Sequence, residues 1–102
     1  MKKIIAMLCL AALPLAGQAD EISGDWCSPT GAHVRFEGNT VLTPGGQVTD
    51  GIYSRHAFEF IIPEGEKDAG LIFMMRQLSE MQSIVLIEGR EPEGWQRCQL
   101  TS

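Results

Sequence analysis

Short apolar runs follow one another along the chain, and glycine, proline or small polar residues separate them. In the run "AHVRFE", Ala32, Val34 and Phe36 alternate with polar or charged residues. Such alternation is typical of a β-strand with one buried face and one solvated face. Further strands are predicted where similar runs occur, at 22–27, 40–43, 47–62, 71–78, 83–88 and 95–100.

Turn-forming residues lie between most of these runs. Residues 28–31 read Ser-Pro-Thr-Gly, and Pro44 precedes two glycines. Proline presets φ and glycine accepts positive φ, as tight turns require. Asp50 and Gly51 predict a bulge or a sharp bend inside 47–62. Short strands at this spacing predict an all-β fold, a small antiparallel meander closed into a barrel or stacked as a sandwich.

One segment also fits a helix, which would make the fold α+β with a helix near 69–81. Asp68 stands where it would cap such a helix, and the residues that follow are good helix formers. A β-hairpin is preferred because residues 84–87 are rich in β-branched side chains and the rest of the chain reads as a meander. The apolar residues with helical spacing are Leu71, Met74, Met75 and Leu78.

Alternation beyond Gly51 assigns side chains to two faces of a long strand. The apolar face is predicted to hold Ile52, Ser54, His56, Phe58, Phe60 and Ile62. The other face is predicted to hold Tyr53, Arg55, Ala57, Glu59 and Ile61. His56 is therefore expected either in a pocket, as a group that could gain or lose a proton near neutral pH, or in the core. Tyr53, Arg55 and Glu59 are expected to form an outward stripe for protein contact.

The first residues have the features of a cleaved signal peptide. Two lysines precede an apolar stretch at 4–15, and small residues at 17 and 19 form a cleavage site. The apolar stretch is too short to span a bilayer of about 30 Å as a helix. We therefore predict a signal peptide at 1–19, a single β domain at 20–102, and no stable membrane insertion.

Charge narrows the range of partners. Without Lys2 and Lys3, six basic residues stand against thirteen acidic ones, so the mature chain carries a net charge of about −7. Nucleic acid is excluded as a partner because phosphate binding needs a basic patch. The sequence suggests an exported protein as the partner, and the acidic charge favours one that is basic where it makes contact.

Two cysteines remain after the predicted cleavage, Cys27 and Cys98, and a small exported domain is expected to join them in a disulfide. If they bridge neighbouring strands, Trp26 and Arg97 point to the opposite face and lie within contact distance. The guanidinium of Arg97 would then cover the Trp26 ring, and Trp95 would share its face. We call this predicted arrangement the clasp.

Gly24, Trp26 and Arg97 resemble the Gly-x-Trp…Arg arrangement of lipocalins and other calycin-type barrels. The resemblance implies a barrel whose tryptophan and arginine pack at its closed end and are structural. More narrowly, the chain is similar to small exported bacterial lipocalin-like barrels with one disulfide, protease inhibitors among them. Strands as short as these are expected to leave little cavity, because side chains fill the interior of a small barrel.

No residue pattern indicates a catalytic site, a cofactor or a metal. His33, His56, Met74, Met75 and Met81 have side chains that suit copper, but the predicted faces separate them. The sequence therefore predicts a periplasmic or secreted, non-enzymatic binding or protein-interaction module. Two alternatives remain: an inhibitor of an exported protease or other hydrolase, and a small enzyme or ligand-binding barrel that uses a pocket around His56.

Overall fold

A computed structural model describes residues 21–99 and shows a single antiparallel sheet that closes almost completely into a barrel. The strands are β1 Gly24–Cys27, β2 His33–Glu37, β3 Thr40–Leu42, β4 Val48–Asp50, β5 Ile52–Ser54, β6 Ala57–Ile61, β7 Ile72–Gln77, β8 Gln82–Ile87 and β9 Glu93–Arg97. Their order in the sheet is β4-β3-β2-β1-β9-β8-β7-β6-β5. The all-β prediction is confirmed. The predicted signal peptide lies outside the described residues.

The segment with helical spacing is a strand, so the α+β alternative is wrong. β7 pairs along its length with β6 on one side and with β8 on the other. Phe73 and Met75 point into the barrel and are buried. Alternate residues of a strand point to the same face, so both side chains lie in the interior. Their packing there outweighs the local helix propensity.

Large side chains from every long strand fill the barrel interior. Phe36 stacks on Phe58 with ring centroids 4.2 Å apart, and Phe60 lies 4.8 Å from Phe73. The Phe73 ring in turn meets Trp95 edge-on at 5.7 Å. Full burial of one such side chain contributes about 1.5–3 kcal/mol to stability. The buried core also includes Ile22, Trp26, Val34, Val41, Ile62, Met75 and Val85.

Gly51 lets one stretch of chain form both margins of the sheet. β4 pairs with β3, and β5 pairs with β6, so the chain changes partners at the sharp bend predicted there. The Gly51 amide donates to the Asn39 carbonyl at 2.7 Å. A Cβ at Gly51 would lie 2.4 Å from the Phe58 ring and 2.5 Å from the Glu59 carbonyl oxygen. Only glycine fits this approach.

The predicted long strand at 47–62 is interrupted a second time, by a two-residue turn at Arg55 and His56. Ser54 pairs directly with Ala57 across this turn. Because a two-residue turn places odd-numbered and even-numbered residues opposite each other, it reverses the alternation. Tyr53 therefore shares the inner face with Phe58, and Ile52 shares the outer face with Glu59.

The barrel has two different ends. Four loops, at 28–32, 43–47, 62–71 and 88–92, lie at what we call the open end. The short turns of β2–β3, β5–β6 and β7–β8 lie at the closed end, together with residues 21–23. Within residues 21–99, no helix is long and apolar enough to cross a membrane.

Candidate binding site at the open end of the barrel

The predicted contact between Trp26 and Arg97 lies at the closed end. The two residues are direct partners across β1 and β9, and the guanidinium carbon of Arg97 lies 4.1 Å from the Trp26 ring centroid. A contact of this kind contributes about 0.5–2 kcal/mol. Gly24 has φ 111°, and a Cβ there would lie 2.9 Å from Nη1 of Arg97. The glycine therefore gives Arg97 room to reach the tryptophan.

Hydrogen bonds from Arg97, at the end of β9, reach residues 21–23 and the turn between β7 and β8. Its guanidinium donates to the carbonyls of Glu21, of Ser23 at 2.5 Å and of Glu80 at 2.8 Å. The Trp26 indole donates to the Ile22 carbonyl at 2.8 Å. Burial lowers the pKa of Arg97, but an arginine still remains charged in a folded protein. All three guanidinium nitrogens of Arg97 and the Trp26 indole donate to backbone carbonyls, so these side chains hold the closed end together.

The disulfide between Cys27 and Cys98 lies on the other face of the same two strands. Cys27 is opposite Gln96, and the Cys98 amide donates to the Asp25 carbonyl, so the cysteines are diagonal neighbours. Their Cα atoms are 5.0 Å apart. The bond joins the first strand to the last, which are 71 positions apart in the chain.

The four residues proposed for binding do not form one surface. His56 is exposed in the β5–β6 turn, where its Nδ1 lies 3.0 Å from Oε1 of Gln77. The placement of His56 on the apolar face is therefore wrong. Arg55 is exposed in the same turn, whereas Glu59 lies on the outer face of β6.

Tyr53 faces the closed end rather than an outward stripe. Its hydroxyl donates to Oε1 of Glu21 at 2.6 Å, and its ring packs against the core. The hydrogen bond to Glu21, together with burial, raises the pKa of Tyr53 above its usual value. The predicted stripe is wrong because the turn at Arg55 and His56 reverses the alternation on which it rested.

A cup of about 930 Å³ lies among the four loops of the open end. Apolar side chains of four strands form its floor, among them Phe60, Phe73, Val85, Ile87 and Trp95. The strands are as short as predicted, but the loops extend the walls beyond them, most of all the loop at 62–71. The barrel interior is filled by side chains, as expected, and the cup lies beyond it among the loops. Trp95, predicted in the clasp, belongs to the cup floor.

Hydrogen bonds hold the walls of the cup in place. The Glu66 carboxylate accepts from the Thr43 hydroxyl, from the Gly45 amide at 3.1 Å and from the Gln47 side chain at 3.1 Å. A Cβ at Gly45 would lie 2.7 Å from the Glu66 carboxyl carbon, so glycine lets the carboxylate approach. These bonds join the loop at 62–71 to the loop at 43–47.

A second set of contacts joins the loop at 62–71 to the loop at 88–92. Arg90 pairs with the carboxylate of Asp68, whose φ of 65° places it in the left-handed region. Glu93, at the start of β9, accepts a hydrogen bond from the Trp95 indole at 2.9 Å. The loops around the cup are therefore positioned by side chains that also line it.

Acidic groups outnumber basic ones around the cup. The charged residues that line it are Glu66, Lys67, Asp68, Arg90, Glu91 and Glu93. An apolar floor below an acidic rim favours a ligand with an apolar body and a positive group. The sequence analysis did not predict this site; the signal that could have found it is that Phe60 and Trp95 lie next to the charged loops at 62–71 and 88–92.

Metal-binding residues are not brought together in the described part of the chain. No group of three or more His, Cys, Asp or Glu side chains within residues 21–99 is placed to hold a metal ion. His33 lies on the outer face of β2, where its Nε2 is 2.7 Å from Oδ1 of Asp25, and Met75 is buried inside the barrel.

Comparison of the chain with protein-family models, with curated proteins and with solved structures gives no match. The fold itself is a nearly closed antiparallel barrel and is compatible with a lipocalin-like barrel. The function proposed below therefore rests on the open-end cup and not on a family relationship.

Proposed function

We propose that the protein is an exported, non-enzymatic binding module that takes a small amphipathic ligand into the cup. The observation that carries this proposal is the cup itself, a concave site with an aromatic floor at one end of a closed fold. Its size falls in the range of small-molecule sites, about 300–1,000 Å³. The arrangement of apolar floor and polar rim is also typical of such sites.

The composition of the rim supports a cationic ligand. Phe60, Phe73 and Trp95 lie at the bottom of the cup with only their edges accessible, and the half-buried side chains of Ala32 and Ile87 offer further apolar contact to the body of the ligand. The carboxylates at the rim attract a positive group and disfavour a negative one. Glu66 and Asp68 are held in position by neighbouring loops, so little side-chain freedom is lost when a ligand binds.

Export and membership of a lipocalin-like family belong to the same proposal. The signal-peptide pattern of 1–19 and the Cys27–Cys98 disulfide both support a periplasmic or secreted location. Gly24, Trp26 and Arg97 support the lipocalin-like assignment. An exported protein as partner, and inhibition of an exported hydrolase, stay predictions from the sequence. The enzyme alternative has less support, since His56 lies in an exposed turn at the other end.

Titration with decyltrimethylammonium below its micelle concentration tests the proposal, with tryptophan fluorescence as the readout. Ala32 lines the cup, and Ala57 lies on β6 away from it, so Ala32→Phe and Ala57→Phe form a matched pair. We expect saturable binding that Ala32→Phe weakens by about tenfold or more and Ala57→Phe leaves unchanged. Decyl sulfate is expected to bind less tightly than the cation. The proposal is overturned if neither amphiphile binds, or if both variants respond alike.

A further inference from the structure

Within residues 21–99, backbone pairing does not close the barrel between β4 and the second half of β6, and the Gln47 side chain crosses one end of this gap to donate to the Glu64 carbonyl at 2.9 Å. β5 pairs only with residues 57–59 of β6, and β4 has turned away at Gly51 to pair with β3. Among residues 21–99, no ladder joins β4 to the second half of β6, at Phe60 and Ile61. We call the edges of β4 and of this half of β6 the seam.

Backbone groups of both edges point into the seam. The bonds from Thr43 to Gln47 and from Gly51 to Asn39 show that residues 47 and 51 bond toward β3. Because hydrogen-bonding direction alternates along a strand, the amides and carbonyls of Val48 and Asp50 point the other way. On β6, the bond from the Ile62 amide to Leu71 faces β7, so the backbone groups of Ile61 face the seam.

The most exposed large apolar side chains of the described chain lie along this seam. Val48 on β4, Ile52 on β5 and Ile61 on β6 are 71%, 69% and 63% exposed. All three point to the outer face, because Val48 lies next to Thr49, the partner of buried Val41, Ile52 pairs with Glu59, and Ile61 follows buried Phe60. Exposed apolar residues beside an unpaired edge are a recognised site for pairing with another chain.

Acidic side chains flank the same surface. Asp50 and Glu59 lie on its outer face, beside Val48 and Ile61, and Glu64 lies three positions after the end of β6. The stem of a lysine or arginine covers apolar surface while its charged head reaches a carboxylate. The charge and the apolar side chains therefore favour the same kind of partner, a basic one.

We propose that the seam binds an extended basic peptide by β-strand addition. The peptide backbone pairs with the amides and carbonyls of Val48 and Asp50, as strand-addition partners do at a free edge. Its basic side chains lie on the outer face, with their stems on Val48, Ile52 and Ile61 and their charges near Asp50 and Glu59. This site is separate from the cup.

A capped, fluorescein-labelled hexapeptide that alternates valine and lysine tests this inference by fluorescence anisotropy. Two further peptides serve as probes of mechanism: one alternates valine and glutamate, and one carries backbone N-methyl groups at every lysine. We expect the methylated peptide to bind about tenfold more weakly, because it lacks the amides that pair with the edge. The glutamate peptide is expected to bind more weakly still.

Protein variants locate the binding. Ile61→Ser removes an apolar contact at the seam, and Leu86→Ser makes a comparable change on the outer face of β8, where Leu86 is 40% exposed. We expect the first to weaken binding of the valine–lysine peptide by about threefold to tenfold and the second to leave it unchanged. Thermal unfolding of both variants checks that the fold is retained. The inference is overturned if the peptide does not bind, if methylation has no effect, or if both variants weaken binding equally.

Discussion

The two ends of the barrel are held together by different interactions. At the closed end, the guanidinium of Arg97 covers Trp26 and donates to backbone carbonyls, and every partner is part of the packed fold. At the open end, the carboxylates of Glu66 and Asp68 hold loops around a cup that stays open to solvent. In the proposed function, the closed end contributes mainly to stability and the open end contacts the ligand.

Removal of the disulfide should have the largest effect and should act on stability alone. In Cys27→Ser/Cys98→Ser, a loop of 71 positions is no longer closed in the unfolded chain. We expect the free energy of unfolding to fall by about 4 kcal/mol, measured by denaturant titration of the mature protein. The affinity of the folded fraction for decyltrimethylammonium should not change. A loss below about 1 kcal/mol would contradict the role given to the bond.

Arg97→Met should be nearly as damaging, because the side chain keeps its length and loses its charge and donors. We expect a loss of about 2–4 kcal/mol in the free energy of unfolding, since a half-buried network loses its charged donor and Trp26 loses the cation above its ring. Arg76→Met is the matched control, because Arg76 is exposed on the outer face of β7. The control should change stability by less than about 0.5 kcal/mol. Equal losses in both variants would remove the distinction between the closed end and an ordinary surface.

Glu66→Gln should affect the open end more than the fold. The side chain keeps its shape but loses the charge that strengthens its hydrogen bonds, so we expect about 1 kcal/mol of lost stability. The dissociation constant for decyltrimethylammonium should rise about two- to fivefold, measured by fluorescence titration. Glu64→Gln is the control, because Glu64 is exposed and does not line the cup. If Glu64→Gln weakens binding as much, general charge rather than the cup attracts the ligand.

The smallest predicted effect is on the titration of Tyr53 at the closed end and is measured at alkaline pH. Tyr53 is the chain's one tyrosine, so tyrosinate absorbance reports it directly. Its pKa is raised in the folded state by the bond to Glu21, so the stability from this contact is complete below about pH 10 and is lost as the pH rises through the folded pKa. We expect Glu21→Gln to lower the midpoint. An identical midpoint in the variant would show that the bond does not set the pKa.

The fold was predictable from alternation and from two cysteines. The run that became β2 alternates strictly, and Phe58 and Phe60 alternate within β6, so period and burial agree. The disulfide followed from compartment and chain length rather than from any local pattern. The alternation is contained in short stretches of sequence, and the cysteine pairing follows from a count of two, so neither prediction depends on how the sheet closes.

The turn at Arg55 and His56 was not predictable, because it contains neither glycine nor proline. The prediction assumed that inward and outward side chains alternate without interruption through this turn. Because the turn reverses the alternation, His56 was wrongly placed inside and Tyr53 outside. The cup was not predictable either, because its lining comes from four loops that are separate in sequence. Which side chains meet there depends on how the sheet closes, and local patterns carry no information about that closure.

An amide chemical-shift map of the mature protein during titration with decyltrimethylammonium tests the central claim most directly. The account predicts that the shifts concentrate in the loops at 28–32, 43–47, 62–71 and 88–92 and in the floor strands near Trp95. The turns at the closed end, including Arg55 and His56, should not shift. Shifts concentrated at the closed end, or no saturable shifts at all, would contradict the account.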